Sequence, residues 1–85
     1  MILHTIEVKP LGGYRLFLAF NNGEAGEVDL EDELWGEMFE PLKGAALFAT
    51  AHQDPVGKTV AWANGADFAP EFLLDLLSQQ RQRAA

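Results

Sequence analysis

The sequence predicts an α+β fold: a two-layer domain with a mostly antiparallel five-stranded sheet, in the order β-β-β-α-β-β-α, and helices packed on one face. Three observations predict it. Short β-branched and aromatic runs, each ended by a turn signal, fill the first three quarters of the chain. Two of the turns, Asn21-Asn22-Gly23 and Asp54-Pro55-Val56-Gly57, are tight enough to give antiparallel pairs. The clearest helical spacing, Phe72, Leu73, Leu76 and Leu77, comes last, behind Pro70.

The first strand is read from Ile2, His4, Ile6 and Val8 alternating with Leu3, Thr5 and Glu7. Pro10-Leu11-Gly12-Gly13 is expected to break it and open a turn. Tyr14 to Phe20 is the second strand, apolar on both faces except at Arg15. Glu24 to Leu30 is the third, with Val28 and Leu30 pointing one way. Glu31 to Gly36 reads as a short acidic helical turn. Phe39 to Phe48 follows as a helical stretch, with Pro41 near its start and Gly44 weakening it. Thr50 to His52 and Lys58 to Trp62 are the fourth and fifth strands, joined by a turn with Pro at its second position. Asn64-Gly65 is a further turn, since both residues tolerate positive φ. Pro70 suits the first position of a helix, where a missing N–H costs nothing. Glu71 then faces the positive end of the helix dipole. The helix is expected to run to about Gln80 and to bury the Phe72/Leu76 stripe. Residues 1–80 form the single domain, and 81–85 are expected to fray.

Composition narrows the function. Eighty-five residues make one domain, able to bury roughly 60–65% of its unfolded surface. An apolar content of 48% is too high for a disordered chain. With no cysteine there is no disulfide framework and no thiolate zinc site. The N-terminus lacks the basic start and apolar run of a signal peptide. No apolar run approaches the roughly 20 residues that span a bilayer. A cytoplasmic location is the expectation.

The net charge of −7 is concentrated. Glu24, Glu27, Asp29, Glu31, Asp32, Glu33, Glu37 and Glu40 crowd into residues 24–40 without a single Lys or Arg, and the rest of the chain is close to neutral. Nucleic-acid affinity rests on clustered Lys and Arg that neutralise phosphates. This pattern points away from direct nucleic-acid binding and from anionic membranes.

Trp62-Ala63-Asn64-Gly65-Ala66-Asp67-Phe68, followed by Pro70-Glu71 and Leu73, resembles the C-terminal signature of the small prokaryotic domains of unknown function called DUF2442. Tyr14-Arg15-Leu16, Phe20-Asn21-Asn22-Gly23-Glu24, Val28-Asp29-Leu30 and Phe39 through Leu42 match as well, so the resemblance spans roughly residues 3 to 77. It implies an α+β fold, a mostly antiparallel sheet with helices on one side. It also implies contexts: members occur alone, fused to DNA-binding helix-turn-helix domains, or beside a small partner in what look like toxin–antitoxin pairs. This chain is expected to carry no appended DNA-binding domain. The signature residues Trp62, Asn64, Gly65, Asp67, Pro70 and Glu71 are specific to the family rather than to any chemistry.

The residues themselves offer little catalysis. Nucleophilic chemistry needs a Ser, Thr, Cys or Lys beside a base, and the one serine, Ser78, sits near the tail. The carboxylates of residues 24–40 need a pocket that separates their pKa values before they do acid–base work. His52 with Asp54 is the one pair that a metal or acid–base role can use, against the plainer reading of a strand histidine beside a turn. Gly12-Gly13 lacks a phosphate-loop pattern. No enzyme, cofactor or metal is expected.

The aromatic residues are the sharper signal. Trp62 reads as core or as an interface anchor. Trp35 stands among Asp32, Glu33 and Glu37 and beside Met38 and Phe39. Either it folds beneath a solvated acidic face, or it is an apolar anchor ringed by carboxylates, as a basic partner would meet. Asp67 either caps the last helix or brackets the turn, or is a functional carboxylate. The leading expectation is a non-enzymatic interaction module that offers the acidic segment 24–40, with Glu31, Asp32, Glu33, Trp35, Glu37 and Met38 as the contact residues, and a sheet edge besides, to a basic protein, as the antitoxin-like half of a pair. The alternative is a regulatory or ligand-sensing domain that acts with DNA-binding partners. Pairing of exposed sheet edges would give a homodimer.

Overall fold

The computed structural model of the protein describes residues 2–84. Its strands are β1 (Thr5–Gly12), β2 (Arg15–Phe20), β3 (Ala25–Asp29), β4 (His52–Gln53) and β5 (Val60–Ala61), and its helices are α1 (Ala45–Phe48) and α2 (Pro70–Ala84). Short 3-10 turns over Glu31–Glu33 and Glu40–Lys43 lie between β3 and α1. The class is α+β and every strand pair is antiparallel.

The five strands do not form one sheet. β1-β2-β3 make a three-stranded sheet, and β4-β5 a separate two-stranded one. The reason lies at the junction. The Thr5 N–H donates to Lys58 O at 3.0 Å, and Gln53 reaches the Thr5 backbone and hydroxyl through its side-chain amide. Side-chain bonds replace a ladder there. The fourth and fifth strands pair over only two residues each, His52 with Ala61 and Gln53 with Val60. The chain between them is consumed by the expected turn, in which Asp54 accepts from the Gly57 N–H and Lys58 takes a φ of 57°.

β1 also departs from simple alternation. Its register slips between Thr5 and Glu7, so Ile6 bulges outward and is exposed, while Thr5 is fully buried. Pro10 does not end the strand. β1 runs on to Gly12, with a second irregularity between Pro10 and Gly12. β2 follows its sequence pattern, with Leu16, Leu18 and Phe20 buried. Gly44, in extended backbone, splits the expected helical stretch of residues 39–48 into a 3-10 turn and the one-turn α1.

α2 closes the core with Leu73, Leu76 and Leu77 against Leu16, Leu18, Phe20, Val28 and Leu30. Each fully buried leucine contributes about 1.5–3 kcal/mol of transfer free energy. Phe72 is not part of this face. It lies at the margin of the stripe and remains exposed. The helix also extends past Gln80 to Ala84, through residues expected to fray; Ala85 lies outside the described residues. Its last turns are held by the sheet. The Gln80 amide donates to Asp29 O at 2.8 Å and accepts from the Asp29 N–H at 2.9 Å, imitating the peptide of a further strand. Arg81 donates to Ala25 O and pairs with Glu24. Gly26 lets the helix come this close: a Cβ there would meet Leu77 Cδ1 at 3.0 Å and the Arg81 guanidinium at 3.1 Å. The β3 edge is thus covered by side chains of the protein's own helix.

Candidate functional site

An aromatic spine runs from the core to the surface. Tyr14 meets Phe48 edge to face at 5.5 Å, Phe48 meets Trp62 at 5.7 Å, and Trp62 meets Phe68 at 5.8 Å. Phe68 is then stacked on both sides, against Phe39 at 4.5 Å and Phe72 at 5.2 Å. Offset stacking and edge contacts of this kind add roughly 0.5–1.5 kcal/mol per pair beyond burial. Trp62 is the hinge of the spine. It is buried, and its indole Nε1–H donates to Phe48 O at 3.0 Å, so its polar edge is satisfied inside the core. The core reading of Trp62 therefore holds.

The outer end of the spine opens into a cleft of about 530 Å3. Trp35, Met38, Phe39, Phe68 and Phe72 supply its apolar lining. Trp35 is 72% exposed and Met38 47% exposed, which is unusual for side chains of this size. Leu34, the preceding residue, is fully buried and pins the chain. Trp35 is thus not folded beneath the acidic face. Glu33, Glu37 and Asp67 also line the cleft, and none of the three forms an ion pair among the described residues.

Backbone geometry fixes one wall. Gly36 has a φ of 91°, in the left-handed region that favours glycine. Its carbonyl accepts from the N–H groups of Phe39 and Glu40. This turns the chain so that Trp35 and Met38 flank the opening. The other wall, Phe68 and Phe72, follows from the tight reversal between Trp62 and Asp67. The Trp62 N–H donates to Ala66 O, the Gly65 N–H returns to Trp62 O, and Ala61 bridges to Asp67. Asn64 ties the walls together: its Oδ1 accepts from the Ala66 N–H at 3.1 Å and its Nδ2 donates to Met38 O at 3.0 Å. Thr59 anchors the far side by donating to Phe68 O.

The structure therefore divides the residues expected to bind a partner. Trp35, Glu37, Met38 and Glu33 share the cleft, and Asp67 of the signature joins them. Glu31 and Asp32 do not. They border a separate depression with Asp29, Gln80 and Arg83. Among the described residues the Asp67 side chain forms no hydrogen bond with the start of α2, and Asp67 lines the cleft. Pro70 is the first residue of α2, and Glu71 is exposed in its first turn. The acidic block is also partly spent within the fold, since Glu24 pairs with Arg81 at 2.7 Å and Glu27 with Arg15 at 3.2 Å. Asp29, Glu31, Asp32, Glu33, Glu37 and Glu40 carry no ion pair among the described residues.

Phe39, Phe68 and Phe72 escaped sequence reasoning as a site. Phe39 and Phe68 are 29 positions apart, and no local pattern announces that they stack. The available signal was an excess of aromatics at loop positions rather than on strands. His52 is exposed, with Nδ1 against Thr50 O at 2.9 Å, and Asp54 is engaged in its turn. Among the described residues, no three His, Cys, Asp or Glu side chains gather where they could hold a metal ion. Among the described residues, no helix is long and apolar enough to cross a membrane.

Comparison with curated proteins and with solved structures finds no match. The family comparison does: residues 5–77 match the family described as "Protein of unknown function (DUF2442)". With the match covering most of the chain, this protein belongs to the DUF2442 family.

Proposed function

We propose that this protein is a non-enzymatic interaction module whose partner is a basic protein, met on the acidic face of residues 31–40. The observation that supports this most is Trp35, exposed beside a stack of phenylalanines and bordered by carboxylates that the fold leaves without cations. Exposed apolar patches with a polar rim mark interaction surfaces. Unpaired charge of one sign steers the opposite sign toward it and raises the association rate. The partner fits the description of a small basic toxin-like protein, with this chain as its antitoxin-like, neutralising half.

The test is co-expression with the proteins encoded beside it, followed by purification and mass spectrometry. A stoichiometric basic partner, released as salt rises, is the expected result. The variant carrying Glu31→Lys, Asp32→Lys and Glu33→Lys is expected to lose that partner, and unchanged capture by it would sink the reading.

A second reading draws on the size of the cleft. A volume of about 530 Å3 lies within the roughly 300–1,000 Å3 typical of small-molecule sites, as a ligand-sensing regulatory domain needs. A metabolite that raises the melting temperature by mass action would favour it.

A further inference from the structure

We infer that the occupant of the Trp35 cleft is a partner segment with an apolar anchor flanked by Arg or Lys, the anchor lying on Phe39, Phe68 and Phe72 and a cation lying over Trp35. The inference rests on the interaction reading above and adds where the partner seats and what chemistry it carries.

The argument is one of desolvation. Filling the cleft removes water from its apolar lining, which is favourable. The same step strips water from Glu33, Glu37 and Asp67, which border that lining. Stripping water from an unpaired carboxylate is unfavourable. A neutral apolar segment thus loses at the rim much of what it gains at the floor. An acidic one is repelled outright. A cationic segment supplies the missing partners, and the exposed indole of Trp35 offers a face for a guanidinium or ammonium. Among the described residues no Lys or Arg of the protein forms an ion pair with Glu33, Glu37 or Asp67.

The same reasoning disfavours a second copy. Two chains that each carry a net charge of −7 would bring two acidic rims together. The site is also held in shape before anything binds, because Asn64 fastens Met38 and Leu34 is buried. A preorganised site avoids part of the ordering cost of binding.

The probe is a random peptide library displayed on phage and selected on the full chain, with selected peptides then synthesised and titrated by calorimetry. Selected sequences are expected to combine Leu, Ile, Phe or Trp with nearby Arg or Lys. Affinity should fall by tenfold or more (about 1.4 kcal/mol) for Trp35→Ser and for the Glu33→Lys/Glu37→Lys double variant. Glu31→Lys/Asp32→Lys, outside the cleft, should change it less than about threefold, as rim charges do. Both substituted regions are exposed or half-buried, so far-ultraviolet circular dichroism and melting should confirm that each variant folds. Neutral or acidic selected peptides, or no enrichment, would overturn the inference. Basic peptides insensitive to Trp35→Ser but lost on Glu31→Lys/Asp32→Lys would overturn it too, while leaving the broader acidic-face reading standing.

Discussion

The sheet-and-helix half of this molecule and the aromatic half follow opposite rules. Around β3 and α2, the sheet edge and two of the acidic side chains are satisfied internally. Glu24 and Glu27 have their arginines, and Gln80 and Arg81 occupy the backbone of the β3 edge. Around residues 33–39 and 67–72, the fold fixes a backbone frame and then leaves a tryptophan and several carboxylates facing water. In the first half the β3 edge is closed to a further strand. The second has the composition of a surface awaiting a partner. On the proposed interaction reading, stability and recognition are carried by different residues, and substitutions should separate them.

The largest effect on folding is expected at the joint between the halves. Trp62→Ala removes a buried ring that contacts Phe48 and Phe68 and donates to Phe48 O. It should lower stability by about 3–5 kcal/mol in urea unfolding, a large part of the roughly 5–15 kcal/mol that holds a small domain. Next comes Gln80→Ala, which deletes both bonds to the Asp29 backbone. A loss of about 1–2 kcal/mol is expected, with faster hydrogen exchange at the Asp29 amide. The freed β3 edge should also promote self-association at high concentration, read by light scattering. Asn64→Ala should cost about 1 kcal/mol, seen as faster amide exchange across residues 36–40 once the tie to Met38 is gone.

Trp35→Ser sharpens the contrast. With the side chain 72% exposed, stability should stay within about 0.5 kcal/mol while binding is lost. The smallest effect belongs to Lys9. The hydrogen bond to Glu7, helped by its charge, raises the Lys9 pKa above the usual 10.5. Any contribution is therefore present below that value and lost as pH rises through the raised one. Because the ammonium is fully exposed, Lys9→Gln should leave the melting temperature unchanged at neutral pH.

Sequence reasoning succeeded where structure is local. The apolar run from Tyr14 to Phe20 marked β2, Asn21-Asn22-Gly23 marked its hairpin, and Pro70 marked the start of α2. It failed where distant segments decide. The β4-β5 pair was expected to join the main sheet, but a bulge at Ile6 and a side-chain junction at Thr5 and Gln53 keep them apart. Phe72 shares the helical spacing of Leu73 and Leu76, yet only tertiary contact with Phe68 shows that it faces the cleft. The candidate site was half legible for the same reason. Trp35, Glu37 and Met38 are neighbours in sequence, whereas Asp67, Phe68 and Phe72 reach them only through the reversal that Asn64 fastens. Glu31 and Asp32 looked equivalent to Glu33 in the acidic run, but Leu34 turns inward beyond them and the chain places the two groups on different surfaces.

The most direct measurement is an amide NMR titration of the labelled protein with the neighbour-encoded protein captured on co-expression. The cleft reading predicts shifts concentrated in residues 33–39 and 67–72 and at the Trp35 indole N–H, weakening as salt is added. Shifts centred instead on β1, or on residues 29–32 and 80–83, with the Trp35 indole unmoved, would contradict it.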